Sequence, residues 1–230
     1  MTELRDYSAI QVLYVGRAEC EWTKKALTFL TSMGIQPTVV LSRNRGEKFP
    51  TLVENDWNGD LVISYRTHFI IPEKVLQRST HGGLNVHAGS PSFPGSGAVN
   101  WALYEEMSSF GITVHQITSK VDAGEVAKVY PFEVYTFDNF DTLSDRTDSQ
   151  SFLAFCDFFS NYFNSSDLGE IPRIESSWTR NARTIKELDK LEMIQPSLSK
   201  VELEKIIRAT VSKSRAPYID LYGYIFKLIN

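Results

Sequence analysis

A strand–helix–strand pattern at the start of the chain restricts the available folds more than any other feature. Residues 10–16 form a β-branched apolar run that ends in glycine, which is typical of a buried strand. Residues 19–33 carry apolar side chains at helical spacing, and Gly34 is placed to end that helix. Residues 37–41 form a second apolar run. Because two strands joined by a helix normally pair side by side, we expect a parallel sheet.

The rest of the first half continues this pattern. Apolar runs predict further strands at residues 60–65, 84–87, 112–117 and 126–135, with a helix at 98–109. Strands that alternate with helices along a chain are characteristic of the α/β class. We therefore expect a Rossmann-like region with a mostly parallel sheet over residues 1–140.

The second half has a different character. It predicts a long helix over 141–163 capped by Asp141 and Thr142, a polar irregular segment over 164–184, short helices at 185–191 and 200–210, and a hairpin around Gly223. We expect residues 141–230 to form a small C-terminal extension of helices and a hairpin, which serves for dimerisation.

Charge and cysteine content narrow the classes of partner. The 230-residue chain has a net charge of −4 and a pI of about 5.6, which disfavours binding to nucleic acid. Its two cysteines, Cys20 and Cys156, match neither a disulfide framework nor a zinc pattern, so we expect a cytoplasmic protein without metal. The polar first residues are unlike a signal peptide, and no apolar run approaches the about 20 residues of a membrane helix, so no membrane association is expected.

The strongest candidates for a reactive site are Asn85, His87 and Asp122. Side chains repeat along a strand with a period of two, so Asn85 and His87 project to the same side at the end of a predicted parallel strand. The Asn85 amide can donate to an oxyanion, and the His87 imidazole can exchange a proton near neutral pH. Asp122 can hold the imidazole tautomer. This set suits transfer of an activated acyl group to an amine supplied by the substrate.

Each of these residues also has a purely structural interpretation. A single histidine is more often a hydrogen-bonded structural residue than a catalyst. The sequence from Asp122 to Gly124 is equally typical of a turn. The functional hypothesis depends on the order of the parts: a glycine break, a strand ending in Asn-x-His, a Pro/Gly loop, a helix, a strand containing His115, and then Asp-x-Gly.

This ordered set resembles the folate-dependent formyltransferases. The matching residues are Asn85, His87, residues 111–115 and residues 122–126, and residues 70–72 match the segment that the family uses beside the pterin. The resemblance implies a formyltransferase fold, 10-formyltetrahydrofolate as the formyl donor, and a catalytic site of Asn85, His87 and Asp122. It further implies folate contacts from Phe69, Ile70, Ile71, Lys120 and Val121.

One loop departs from the family pattern. Where family members have Tyr-Arg-Gly after the histidine, this chain has Phe93-Pro94-Gly95. The missing arginine leaves open how the acceptor is held. Candidate substrate contacts are Arg66, His68, Phe93, Ser96 and Gly97. For Arg66 and His68 a solvated loop is an equal alternative, and for His115 we favour a packing or supporting role.

Three branches of the family differ in acceptor. Residues 16–20 make a poor phosphate loop for glycinamide ribonucleotide, and the segment after Asp122 is short for the C-terminal domain of methionyl-tRNA formyltransferases. The segments 178–180, 186–188, 207–210 and 217–228 resemble the tail of short sugar N-formyltransferases. That branch implies a nucleotide-linked amino sugar, such as a 4-amino-4,6-dideoxy hexose used in surface polysaccharide (O-antigen or lipopolysaccharide) synthesis, and a homodimer. There are two alternatives. One is another amine acceptor, and the other is a protein that binds folate or a nucleotide sugar without turnover.

Overall fold

The computed structural model describes residue 7 and residues 9–165, 171–212 and 215–228. The polar first six residues and part of the predicted irregular segment 164–184 lie outside the described residues. The strands are β1 Val12–Arg17, β2 Thr38–Ser42, β3 Leu61–Tyr65, β4 Gly83–His87, β5 Ser109–Gln116, β6 Val126–Glu133, β7 Tyr218–Leu221 and β8 Tyr224–Lys227. The helices are α1 Glu21–Ser32, α2 Thr51–Asp56, α3 Glu73–Leu76, α4 Ala98–Tyr104, α5 Phe140–Asn164, α6 Ile185–Glu192 and α7 Lys200–Thr210.

Six of these strands form one twisted sheet in the order β2-β1-β3-β4-β5-β6. The pairs β1–β2, β1–β3 and β3–β4 are parallel, whereas β5 runs antiparallel to both β4 and β6. The predicted α/β class, the mostly parallel sheet and the opening strand–helix–strand unit are therefore confirmed. Gly34 ends α1 with a φ of 89°, as expected for a residue that follows a helix.

The two faces of the sheet have different coverings. On one face, α1 and α5 pack against Tyr14 and Tyr65, and Phe155 of α5 lies 5.0 Å from the Tyr65 ring. Phe155 and Phe159 are fully buried, and burial of each such ring contributes roughly 1.5–3 kcal/mol. The short helices α2 and α3 pack on the other face, where Val62 and Val75 belong to a second cluster. This second face also carries the polar side chains of the candidate site.

The loop between α4 and β5 differs from the prediction. The helix expected over 98–109 ends at Tyr104, and β5 begins at Ser109 instead of residue 112. Glu106 has a φ of 54°, and the backbone N–H of Met107 donates to the carbonyl of Ala102, which is the pattern of a Schellman motif. Glycine usually occupies this left-handed position, so a glutamate there carried no sequence signal for the helix end.

Two other helix boundaries were also missed. Residues 51–56 had no assignment, yet they form α2 after Pro50. The long helix α5 is capped by Asn139 rather than by Asp141 and Thr142. Asn139 accepts from the backbone of Thr142, whose hydroxyl accepts from the backbone of Asn139 in return. Threonine acts here in the position where glutamate or glutamine is usual.

The C-terminal segments contact the first region in different ways. Helix α5 shares its core with the sheet, and α7 packs on α4, where Asn100 donates to the carbonyl of Ala209. The predicted hairpin is present, with left-handed Tyr222 and Gly223 at its turn. A division between residues 140 and 141 remains a prediction, and it would cut through the core that α5 completes. Within the described ranges, no helix is long and apolar enough to span a membrane.

Candidate active site

Asn85 is held by neighbours on two adjacent strands and on the loop after β5. The Ser64 hydroxyl of β3 donates to Oδ1 of Asn85 at 2.8 Å, which orients the carboxamide. Nδ2 of Asn85 then lies 3.0 Å from Nε2 of His115 on β5 and 3.4 Å from Oδ1 of Asp122. Ser64, Asn85 and His115 occupy paired positions of adjacent strands, so their side chains share one face of the sheet.

His87 has an oxygen acceptor at each ring nitrogen. Nδ1 lies 3.1 Å from Oδ2 of Asp122, and Nε2 lies 3.0 Å from the carbonyl oxygen of Phe93. A carboxylate and a carbonyl only accept hydrogen bonds, so both contacts are satisfied when both nitrogens carry a proton. An imidazole that donates in this way is suited to contact an oxyanion.

Asn85, His87, His115 and Asp122 form a polar cluster. Asp122 lies at its centre and is 9% exposed. One oxygen, Oδ2, accepts from the backbone N–H of Gly95 at 2.8 Å as well as facing His87, and Oδ1 lies 3.2 Å from Nε2 of His115. Burial by itself would raise the pKa of Asp122, but the charge of His87, the contacts with His115 and the Gly95 hydrogen bond lower this pKa to about 2. The carboxylate therefore stays ionised throughout the neutral range.

The backbone conformation of Asp122 is unusual. Its φ is 42°, in the left-handed region that L-residues adopt infrequently, although aspartate tolerates it better than most. Such strain is found where the surroundings hold a residue in place. The turn interpretation of this segment and the functional one are compatible, because the turn is what points the carboxylate at His87.

His115 is part of this cluster rather than a remote packing residue. Its Nδ1 donates to the carbonyl of Gln116 at 2.8 Å, which leaves Nε2 as the atom that faces Asn85 and Asp122. This contact fixes the ring orientation. The supporting role expected for His115 agrees with this placement.

The loop after His87 packs closely on the imidazole. A Cβ at Gly89 would lie 2.4 Å from Nε2 of His87, so a larger residue has no room there. The buried Thr113 hydroxyl donates to the carbonyl of Gly89 at 2.7 Å and holds the backbone down. The loop that departs from the family pattern thus has its own means of fixing His87.

The same loop is joined to the segment that precedes α6. Gly95 pairs with Arg183 in a short parallel bridge, in which Arg183 N–H donates to Pro94 and Ser96 N–H donates to Arg183. A Cβ at Gly95 would lie 2.2 Å from the Arg183 carbonyl oxygen, and φ at Gly95 is 87°. Glycine is therefore required where the loop meets both Arg183 and Asp122.

Comparison with known proteins identifies the family. A family model described as "Formyl transferase" matches residues 43–157, a range that includes Asn85, His87 and Asp122. The chain belongs to the formyl transferase family. This confirms the resemblance drawn from the ordered motif.

Curated relatives in this family include methionyl-tRNA formyltransferases from Listeria monocytogenes. They are 24% identical over 174 residues, which is 75% of this chain and 54% of their own length. The chain thus spans about half the length of the curated relatives that it matches.

Solved structures with the same fold cover almost the whole formyl transferase chain. A 4-N formyltransferase from Francisella tularensis has a TM-score of 0.78 at 15% identity and covers 96% of both chains. An N-formyltransferase from Helicobacter canadensis in complex with folinic acid and dTDP-3-aminofucose has a TM-score of 0.71 at 14% identity. The match covers 94% of this chain and 85% of the Helicobacter chain. HypX from Aquifex aeolicus in complex with tetrahydrofolic acid has a TM-score of 0.72 at 17% identity, with 97% of this chain and 38% of HypX covered. These similarities establish the fold.

The predicted folate contacts of this formyl transferase chain separate into buried and exposed residues. Phe69 and Ile71 are buried in the cluster under α2 and α3, whereas Ile70 is 63% exposed and Val121 is 47% exposed. Lys120 is also exposed. Only the exposed side chains are free to contact a ligand directly, so Phe69 and Ile71 are limited to backbone contacts and to support of the surface.

The predicted substrate contacts are also divided. The Phe93 ring is 1% exposed and its centroid lies 6.0 Å from that of Phe110 in the core, so its predicted substrate contact, which stays a prediction, would need the ring to move or would come from its backbone. Arg66 is engaged in an ion pair with Asp148 of α5. His68 is partly buried and bonds through its backbone to Ser42.

Ser96 and Gly97 remain compatible with a substrate contact. Both are partly exposed and follow Gly95 on the loop above the cluster. Gly97 has a φ of 77° and occupies the cap position of α4. Their roles, like those of the three central residues, stay predictions.

One neighbour of the cluster was not predicted as a site residue. Trp178 lies in the segment between α5 and α6 and contacts both His87 and His115. A single tryptophan in an otherwise polar stretch was the available signal. Among the described residues, no group of three or more His, Cys, Asp or Glu side chains is arranged to hold a metal ion.

Proposed function

We propose that this chain transfers a formyl group from 10-formyltetrahydrofolate to the amine of a nucleotide-linked amino sugar in surface polysaccharide synthesis. The observation that carries the proposal is the meeting of Asn85, His87 and Asp122 at the end of β4. An amide donor, an imidazole with two acceptors and a buried carboxylate suit acyl transfer to an amine, and no nucleophile from the protein is needed.

In the proposed reaction the free amine of the sugar attacks the formyl carbon. A nitrogen–carbon bond forms, and the carbonyl electrons move to the oxygen. Asn85 Nδ2 and the protonated His87 stabilise this oxyanion. His87 donates from Nε2, and the hydrogen bond from Nε2 to the Phe93 carbonyl is replaced by one to the substrate oxygen. A donor of this kind contributes about 3 kcal/mol to other acyl-transfer reactions.

Collapse of the intermediate breaks the bond between the formyl carbon and N10 of the folate. The attacking amine loses one proton and N10 gains one, so the proton count balances. His87 relays this proton, directly or through water, while Asp122 keeps the ring oriented. Asp122, which is ionised with its pKa near 2, stabilises the positive charge on His87 whenever the ring holds the relayed proton.

The donor is proposed to lie along Ile70, Lys120 and Val121. Phe69 and Ile71 belong to the buried cluster against which Ile117 packs, so the two predicted segments approach the same face of the sheet. The exposed apolar side chains of Ile70 and Val121 fit the flat ring system of a pterin.

The sugar acceptor is supported by the structural neighbours. The Francisella and Helicobacter formyltransferases match this chain over most of both lengths, and the latter was solved with a dTDP-amino sugar. Methionyl-tRNA is the second candidate acceptor, favoured by the Listeria relatives. The net charge of −4 disfavours tRNA.

The test combines a panel of acceptors with a matched pair of variants. The chain is incubated with 10-formyltetrahydrofolate and nucleotide-linked 3-amino or 4-amino sugars, methionyl-tRNA or glycinamide ribonucleotide, and a mass gain of one formyl group is sought. We expect formylation of a sugar, its loss in His87→Asn and its retention in His81→Asn, since His81 lies in the turn before β4. Formylation of methionyl-tRNA alone would replace the sugar proposal, and binding without formylation would favour a non-catalytic protein.

The second part of the proposal is a cytoplasmic homodimer formed through β7 and β8. Apolar side chains on this hairpin are exposed: Leu221, Tyr222, Tyr224, Ile225 and Phe226. A two-stranded hairpin is marginally stable alone, and an exposed apolar patch of this kind indicates an interface. Light scattering should give twice the monomer mass for the wild type and the monomer mass for Tyr224→Ser/Phe226→Ser. Leu52→Ser, at an exposed site elsewhere, is the control, and a monomeric wild type would refute this part.

A further inference from the structure

Trp178 is placed where it touches both imidazoles of the cluster. Its ring centroid lies 5.6 Å from that of His87 and 4.9 Å from that of His115, and both contacts are edge-to-face, with interplanar angles of 74° and 89°. The indole N–H donates to the carbonyl of Gly124 at 2.8 Å. Gly124 follows Asp122 by two residues, so one side chain contacts β4, β5 and the loop that carries the carboxylate.

We propose that Trp178 is a positioning residue for formyl transfer, which holds the His87 imidazole and the Asp122 loop in the geometry that the reaction needs. This inference rests on the proposed function. Trp178 acts through its neighbours, and the structure gives it no contact with the reacting atoms.

The first argument is that Trp178 has little freedom to move. The backbone N–H of the next residue, Thr179, donates to the carbonyl of Pro91, and Arg183 pairs with Gly95 further along. The segment thus bonds at two points to the loop that follows His87. Because its indole also bonds to Gly124, the segment connects the loop after β4 with the loop after β5.

The loop at Gly124 is itself tightly packed. A Cβ at Gly124 would lie 1.9 Å from the carbonyl oxygen of Gln116, the same carbonyl to which His115 donates. A shift of the Asp122 loop would therefore disturb His115. The hydrogen bond from Trp178 restrains this loop at the position where it approaches β5.

The second argument is electrostatic. His87 and Asp122 are each 9% exposed, and the Trp178 ring contributes to this cover. Removal of the ring admits water, weakens the attraction between the imidazolium and the carboxylate, and loosens the ring orientation.

Two variants separate the contributions of the ring and of the N–H group. Trp178→Phe keeps an aromatic ring but loses the donor to Gly124, whereas Trp178→Leu keeps apolar bulk and loses both. Trp22→Leu is the matched control, since Trp22 is also partly buried and packs on an aromatic ring, that of Phe152, away from the site.

We expect Trp178→Leu to lower kcat by about 100-fold, a typical cost of misplacing a reacting group by about 1 Å. Trp178→Phe should lose less, about tenfold, because the ring contact remains. KM for both substrates should change little in either variant, and Trp22→Leu should keep the wild-type kcat. An unchanged kcat in Trp178→Leu, or an equal loss in Trp22→Leu, overturns the proposal.

A spectroscopic measurement tests the contact without turnover. A protonated imidazole quenches a neighbouring indole, so the emission of the wild type minus that of Trp178→Phe isolates Trp178. The titratable groups at the contact are His87, His115 and Asp122. We expect this difference emission to rise with pH and to lose most of its pH dependence in the double variant His87→Asn/His115→Asn.

The two measurements distinguish failure of this inference from failure of the proposed function. A difference emission that is independent of pH in the wild type overturns the contact and the positioning role together. If the emission titrates but the wild type formylates none of the acceptors, the proposed function fails and the positioning role fails with it. Titrating emission together with the kcat losses supports both.

Discussion

Replacement of Asp122 by Asn tests the electrostatic core of the site. The two carboxylate oxygens face donors on both sides: the Asn85 amide at Oδ1, and His87 and the Gly95 N–H at Oδ2. An amide of the same shape must turn its NH2 group toward one of these sides, where it meets other donors. The substitution therefore removes a charge and also leaves at least one buried donor without a partner.

The pKa of Asp122 sets the size of the effect on stability. A shift from 3.8 to about 2 corresponds to about 2 kcal/mol of folding free energy for this buried group. Because the folded-state pKa is lowered, this contribution is complete above a pH of about 4 and disappears as the pH falls to about 2. Asp122→Asn lacks it at every pH.

The measurement is urea unfolding of wild type and variant at pH 7 and pH 3. We expect Asp122→Asn to be less stable by about 2 kcal/mol at pH 7, with a smaller difference at pH 3. The exposed Asp145→Asn should change stability by less than about 0.5 kcal/mol. A stability of Asp122→Asn equal to that of the wild type at pH 7, or a difference that does not shrink toward pH 3, would refute the assignment of an ionised, stabilising Asp122.

Three further substitutions probe the site and the core. Asn85→Ala should lower kcat by about 100-fold or more because an oxyanion donor is lost, and steady-state kinetics should show this loss with an unchanged KM. Gly89→Ala places a Cβ 2.4 Å from His87 Nε2, so formyl transfer should fall by about 100-fold while near-ultraviolet circular dichroism stays native; wild-type activity would contradict the packing. Phe159→Ala, at a fully buried position of α5, should cost about 3–5 kcal/mol in urea unfolding, and a loss below about 1 kcal/mol would exclude α5 from the core.

Much of the fold was predictable because it depends on local periodicity. The strand–helix–strand unit, the strand that ends at His87 and the hairpin at Gly223 each follow from short-range patterns. The missed helix ends have local causes. Glu106 takes a left-handed conformation normally given to glycine, and Asn139, itself a favoured capping residue, caps α5 in place of the predicted Asp141 and Thr142.

For the site, the period of two placed Asn85 and His87 on one side, and the ordered motif added Asp122. The burial of Phe93 was not predictable, because an aromatic residue in a loop can pack inward or face a ligand. The place of Trp178 was also out of reach, since it depends on how a segment without regular structure crosses two loops.

By itself, the sequence determined the α/β class, the family and the three side chains that meet at β4, since these depend on periodicity and on residue chemistry. Only the tertiary structure decided which atoms touch: Asp122 bonded to Gly95, His115 drawn into the cluster, and Trp178 over both imidazoles. The physical reason is the distance along the chain over which the determining contacts act. Hydrogen-bond geometry and ring contacts within the site depend on positions accurate to a fraction of an ångström, and those positions are set by packing between segments that are distant in the chain.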